Sequence, residues 1–545
     1  MSNVEPPQKP DSPSGGAPHP PRRSKRWWLR ITLGLILILV VVVAMGPWIA
    51  STSPVRGYVV KQLNGTLNGS VSIADYSVGW MSGASARGVQ VFDRDHKLIL
   101  QIPKFVSKVS LLDVIRGNID LGDTQLDVRL DDIVVDREGN LNIASIAKPE
   151  PHQKAPPHED QPINLPNIRG SLTVNILGGR ISGQGVPQPV EIQPGTISVS
   201  IPDINGPISN SVSLAYRVGN GATSSMKLSG TVSAVRGNVV DLEKLTAEQN
   251  LTLSNVDLSA ATPVARQSMG PDGQLSGILN GSLDVKAQGL TGISALGQLL
   301  ITDARFAGGG LKDELKLAKI DIPIQVIRTV VDANTTLIKI EKLSVTTPLA
   351  SADVAGQVTQ QSIERLAASQ PPGSDGTISL NLNVPDLGQL ARAIPNTLRI
   401  ASDVTVDRGA LTASSKLALT SDRITSEQKL DLFAHGTRAG KPIELKPIHV
   451  ESTASAFPEG KPVPALRDVK LALTSSFATL SGGGPSLAKL GIKGNFDLAK
   501  LRGELAQFAD LGSIQFAGTG DLSISTEGDP TADGPIRGNV ALNIK

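Results

Sequence analysis

The stretch "SGILNGSLDVKAQG", residues 276–289, alternates Leu279, Gly281, Leu283, Val285 and Ala287 with Asn280, Ser282, Asp284, Lys286 and Gln288. A period of two describes a β-strand with one apolar face and one face in water. Related phrases occur at 62–75, "QLNGTLNGSVSIAD", and at 516–526, "FAGTGDLSIST". The same alternation carries Leu126, Val128 and Leu130 in "TQLDVRLDD", and Leu172, Val174 and Ile176 in "GSLTVNILGG". It also carries Ile378, Leu380, Leu382 and Val384 in "GTISLNLNVPDL". Strands this one-sided belong to sheets with a solvated face, hence to mostly antiparallel meanders. A parallel α/β sheet would need continuous apolar strands and regular intervening helices, and neither pattern is present.

Composition agrees. The chain has 545 residues, 54 glycines and 37 prolines, so turns are plentiful and strands joined by them should dominate. Forty per cent of residues are apolar but only 3% aromatic. The absence of cysteine removes disulfides, thiolate nucleophiles and Cys-ligated metal together.

The N-terminus reads in three parts. Residues 1–26 form a Pro/Ser/Gly-rich, disordered cytoplasmic tail ending in a basic cluster of Arg22, Arg23, Lys25 and Arg26. Residues 27–50 form a membrane anchor, because Ile31 to Ala50 carries no charge and has the length of a bilayer-spanning helix. Trp27 and Trp28 at one end and Trp48 at the other suit the two interfaces, and the basic cluster keeps its side cytoplasmic. A cleaved signal peptide is the alternative. A cut after Ala50 would put bulky Trp48 where a small residue is required, and a cut after Gly46 would be followed by Pro47. The expectation is a single-pass membrane protein with its N-terminus in the cytoplasm and the bulk of its chain exported. Residues 1–30 have a net charge of +4 and the whole chain +2, which leaves −2 for the exported part. Nothing there offers a basic footprint for nucleic acid.

Residues 51–146 form a first β region, with turns expected at Arg94–Asp95, Arg116–Gly117 and Glu138–Gly139. Residues 147–166, "AKPEPHQKAPPHEDQPINLP", read as a Pro-rich loop. His152 and His158 lie in it without a rigid scaffold or companion acids, so they read as loop residues and no metal site is expected. Residues 167–545 form a repetitive β region. Short helices punctuate it near 258–268, 386–394 and 497–510, each entered through an "Asp-Leu" pair: Asp257–Leu258, Asp386–Leu387 and Asp497–Leu498. Pro263 counts against the first. The intervals between pairs are uneven, which describes a recurring module and not a strict solenoid.

No catalytic signature is present: no GxSxG, HExxH, Walker loop or strand-linked GxGxxG. Ser82 and Ser85 sit in a Gly/Ser turn, and Asp131 and Asp132 are one chance carboxylate pair among fifty acids. The expectation is a non-enzyme without a cofactor. The apolar faces then need another purpose. Each exposed CH₂ costs roughly 0.8 kcal/mol, so a 16-carbon chain crossing water costs about 12 kcal/mol. A curled sheet lined with Leu, Ile and Val would remove most of that cost. About 25 strands spaced about 4.8 Å apart would extend it on the order of 120 Å.

The run from "SIADYSVGW" through "VSLLDVIRGNIDLGDTQLD" to "REGNLNIASI", preceded by an anchor, resembles the N-terminal region of the AsmA-like family. That group includes TamB and is distantly similar to chorein-type lipid bridges. "LPNIRGSLTVNILGGRIS", "KIEKLSVTTPLASADVAGQV" and "DLGQLARAIP" are similar to phrases these proteins repeat. The resemblance implies an inner-membrane-anchored, elongated, curved, mainly β periplasmic groove that shields phospholipid acyl chains in transport between membranes. It also implies an outer-membrane or envelope protein as partner. The final strand of the sequence, with Val540, Leu542 and Ile544, leaves an edge to be paired or protected. The groove residues expected are the four sets Leu126/Val128/Leu130, Leu172/Val174/Ile176, Leu283/Val285 and Ile378/Leu380/Leu382/Val384. The rival expectation is a non-transporting envelope scaffold or outer-membrane assembly factor of stacked β-sandwiches, binding proteins by strand addition.

Overall fold

The computed structural model describes residues 53–79, 83–109, 118–136, 140–146, 165–289, 292–332, 335–458, 465–508, 517–528 and 537–544. The expected cytoplasmic tail, the anchor with its flanking Arg and Trp residues, and the Pro-rich loop up to Asn164 lie outside them. None of the described helices is long and apolar enough to cross a membrane.

The described chain is mainly β. Twenty-four strands hydrogen-bond into one sheet, and a separate two-residue-by-two-residue hairpin pairs Val235–Arg236 with Val239–Val240. Sequence neighbours are spatial neighbours almost throughout. Strand Ser70–Gly79 pairs with Gly83–Phe92, that with Leu98–Ser107, and that with Asn118–Val134. The succession continues from Asn167–Ser182 to Arg537–Ile544, interrupted where short Val190–Ile192 and Gly195–Ile201 both bridge Asn167–Ser182 to Ile208–Val218, and where the separate hairpin is passed over between Thr223–Ser233 and Thr246–Asp257. Each hairpin satisfies the backbone of its neighbour locally, so the pattern of short turns between alternating runs translates directly into sheet order.

One junction departs from the meander. Asn118–Val134 and Asn167–Ser182 run parallel, with Leu126 opposite Val174 and Val128 opposite Ile176. The sheet is therefore mixed. A parallel pair cannot be joined by a hairpin and requires a crossover. That requirement falls where the sequence inserts its Pro-rich segment.

Among the described residues five α-helices accompany the strands: α1 (Ser53–Thr66), α2 (Thr262–Met269), α3 (Gln360–Ala367), α4 (Leu387–Ala393) and α5 (Leu498–Phe508). α1 overturns the strand reading of 62–75 at its start, because Gln62 to Thr66 form its last turn. Val59, Val60 and Leu63 recur at helical spacing, and Asn64 Oδ1 accepts from Val71 N at 2.6 Å where the strand begins. The three Asp-Leu entries are all helix starts. Asp386 accepts from Gln389 N at 3.1 Å and Asp497 from Lys500 N at 2.8 Å. Asp257 accepts from Ser259 N at 2.9 Å and opens a 3₁₀ turn, Leu258–Ala261, ahead of α2. Pro263 does not weaken α2: it lies in the first turn, where its missing N–H has no partner to lose.

Register places these three helices on one margin. Asp257 pairs beside Ile278, and the same rim runs on through Ala307, Thr346, Ser351 and Asn383. It continues past Leu411 and Ile448 to Thr474 and Phe496, next to Asp497. α3 follows Thr359 at the opposite margin, where Gln357 pairs with Thr377.

Irregularities line the first margin too. Asn255 (φ 51°), Gly277 (φ 137°) and Asp303 (φ 51°) occupy neighbouring positions in three adjacent strands. Beyond them the apolar set steps by three residues instead of two: Leu253 to Val256, Ile301 to Ala304, and Leu317 to Ile320. Bulges of this kind bend and twist the strand while returning the apolar residues to the same side. Behind them Ala304, Leu317 and Ile320 form a small core with Ile301, Phe306 and Leu349. A second core gathers Ala391 of α4 and Phe508 of α5 on Val406, Ala434, Ile443 and Leu445. A third joins Ile99, Ile133 and Ile146.

Asp303→Val puts a β-branched side chain at a positive φ and should lower unfolding stability by about 1–3 kcal/mol. Asp303→Gly should be tolerated. Urea denaturation of the two variants measures the difference.

Candidate functional site: the apolar face of the sheet

Directly paired residues on neighbouring strands share a face, so the register traces each face across the whole sheet. From Phe105 one ladder passes through Leu126, Val174, Ile197, Val212, Leu228, Leu251, Leu283 and Gly297. It continues through Ile324, Leu343 and Val354 to Leu380. Two residues along the same strand, Leu382 leads through Ala413, Leu430, Val450, Leu473, Leu480, Gly494 and Leu522 to Leu542. The four predicted sets therefore lie on one face of one sheet. Leu126 and Val128 pair with Val174 and Ile176, Leu283 opposes Leu251, and Ile378 and Leu380 oppose Gly356 and Val354.

None of the side chains along this ladder is buried. They are half-buried, and Leu380 and Leu382 retain 47% and 37% of their accessible surface. In a closed sandwich the inward residues of a second sheet would cover such positions. Here no second sheet larger than the small hairpin lies among the described residues, and the three cores lie where bulges, helices and strand ends meet. Val384 is a correction to the predicted lining: only 4% exposed, at the end of its strand beside α4, it is core. Leu130 is partly so, packing against the core of Ile99 and Ile133.

The opposite face is hydrophilic. Lys286 pairs with Glu248 at 3.4 Å, Lys339 with Glu341 at 2.8 Å and Lys429 with Glu451 at 2.9 Å. Exposed pairs of this kind contribute little stability each, but they keep that face in water. The richest group joins His449 to Asp431 through Nδ1 and to Glu451 through Nε2 at 3.3 Å. The hydrogen bond to Asp431 holds the imidazole pKa above its ordinary value, with the charges of Asp431 and Glu451 adding to it.

A carboxylate clamp ties α4 back to the sheet. Asp313, near the start of strand Leu311–Asp332, accepts from Thr397 N at 2.7 Å and Asn396 Nδ2 at 2.7 Å. Burial pushes its pKa up, but these hydrogen bonds outweigh burial and hold the carboxyl below the usual range.

The residues considered for chemistry do not converge. Ser85 Oγ bonds Ser77 Oγ at 2.9 Å on an exposed hairpin, and Ser82 lies outside the described residues. Asp131 meets Arg129 at 3.2 Å, while the neighbouring Asp132 accepts from Ser182 Oγ at 3.4 Å. His152 and His158 lie outside the described residues. No group of three His, Asp or Glu able to hold a metal occurs among those described. What the residue pattern did not reveal is a cation among the aliphatic residues of the apolar face, Arg328, which register alone places there.

Compared with protein-family models, with curated proteins and with solved structures, the chain finds no match.

Two outcomes follow for the polar groups. His449 stabilises the folded hairpin while protonated. Its contribution is full below the ordinary histidine pKa of about 6.5 and is lost as pH rises through the raised value. An NMR titration should find its midpoint above that of a free imidazole, and Asp431→Asn should return it downward. Asp313→Ala should raise amide hydrogen exchange at Thr397 and its neighbours while leaving the central strands protected.

Proposed function

We propose that this protein shields lipid acyl chains on the apolar face of its sheet and conducts them between membranes. The observation that carries the reading is a ladder of mainly aliphatic residues, with Gly297 and Gly494 among them and one two-residue step from Leu380 to Leu382, kept to one side from the strand of Leu126 to that of Leu542 and left half-exposed along its length. An exposed apolar surface of this extent is unfavourable in water and marks a binding surface. Its elongation supports a conduit over a pocket: 24 strands side by side at about 4.8 Å span on the order of 110 Å. The scarcity of aromatic side chains leaves room for methylene chains, and the bulges along one margin supply the bending that would curl the sheet into a groove.

Membrane anchoring, periplasmic placement, kinship with the AsmA-like family and an envelope partner belong to the same proposal and rest on the sequence patterns above. Strand addition without transport is the other reading. Its premise of stacked sandwiches loses support, because the described strands join one sheet.

Leu380→Asp and Val128→Asp each place a charge on the acyl path. Each should abolish photo-crosslinking of a lipid analogue at neighbouring positions, while urea unfolding stays cooperative. Native mass spectrometry of the purified protein should show co-purified phospholipid. A clean apo mass together with unchanged crosslinking in the folded variants would refute the conduit.

A further inference from the structure

We infer that Arg328 is a headgroup site: it receives the anionic group of an amphiphile whose hydrocarbon lies along the apolar face. The inference rests on the conduit reading and adds to it a chemical selectivity.

Cross-strand pairing puts Arg328 among aliphatic residues on the apolar face; Arg438 and Lys441 share that face at the end of a later hairpin, where Arg438 is ion-paired with Asp403 at 2.7 Å. It lies between Ile293 on one neighbouring strand and Ile338 on the other, close to the margin that carries α3. Its guanidinium is held in place. Nε and Nη2 donate to Gln360 Oε1 at 3.2 and 2.7 Å, and Gln360 Nε2 donates to Glu364 Oε1 at 2.8 Å.

This arrangement orients the arginine without neutralising it. Gln360 is a neutral acceptor, and no carboxylate among the described residues makes an ion pair with the guanidinium. Glu364, one hydrogen bond further on, is exposed and already accepts from the amide. Anchoring α3 needs a hydrogen-bond donor and not a full positive charge. A charge on a hydrophobic surface is costly unless something of opposite sign meets it. A guanidinium has five N–H donors, and two are spent on Gln360, leaving three in a geometry suited to a phosphate or carboxylate. Hydrocarbon on one side and an unneutralised cation at the rim together describe a lipid with a net negative headgroup.

The test uses the full-length protein and vesicles of equal parts phosphatidylglycerol and phosphatidylcholine with identical acyl chains, with captured lipid read by native mass spectrometry. The wild type should hold phosphatidylglycerol in about tenfold excess, a ratio typical of one charge-assisted contact. Arg328→Gln should bring the ratio near unity without reducing phosphatidylcholine. Gln360→Ala removes the anchor but keeps the charge, and should preserve the excess. Millimolar inorganic phosphate should displace phosphatidylglycerol selectively. An unchanged ratio in Arg328→Gln would overturn the headgroup site and leave the conduit standing. So would equal loss of both lipids in that variant, which would reduce Arg328 to an anchor for α3. Phosphate binding that depends on Arg328 but does not alter the lipid ratio would mark a free-anion site and overturn the inference as well. Failure of the wild type to capture either lipid would remove the conduit itself.

Discussion

A β-sheet whose side chains alternate must place every second residue on the same side, and among the described residues no second sheet larger than a small hairpin covers that side. Much else about the described chain follows from how it keeps the apolar side consistent from strand Leu98–Ser107 to strand Arg537–Ile544. A slip of one residue in any pairing would turn the aliphatic set of the next strand outward. Short hairpins hold most of the register. Where the strand must bend, paired irregularities absorb the extra residue, as at Asn255, Gly277 and Asp303, and the apolar set resumes on its original face.

The cost of leaving such a surface uncovered is met locally. Cores form at the margins, where helices return over the sheet: α4 and α5 bring Ala391 and Phe508 onto Val406 and Ala434. Between these cores the stability of a strand rests on its ladder and on half-buried contacts with its neighbours. That division fits a surface meant to be occupied, because a core packed to full density has no space to give. The two polar ties on strand Leu311–Asp332 act in the same sense. Asp313 holds the segment after α4 at one end, and Arg328 holds α3 near the other.

Much of this was legible in the residues. Alternation in 276–289 and its relatives announced one-sided strands, and the Asp-Leu pairs announced the helix starts at Asp257, Asp386 and Asp497. The three-residue steps from Leu253 to Val256 and from Ile301 to Ala304 are phase slips that the period-two reading passed over, and they mark bulges. Gln62 to Thr66 misled because a phrase like a strand elsewhere had, here, Val59, Val60 and Leu63 upstream at helical spacing.

The sequence by itself determined the strand period, the polarity of the two faces and the turn at Arg94–Asp95, since each of these depends on residues within one or two strands. Only the tertiary structure decided that 24 strands join one sheet and that the junction of Asn118–Val134 with Asn167–Ser182 is parallel. It alone showed that Val384 is covered while Leu380 and Leu382 stay open, and that Arg328 faces the hydrocarbon side. A period of two says which residues point together; what they point at depends on partners far along the chain, and those are set by register and by the ends of other strands.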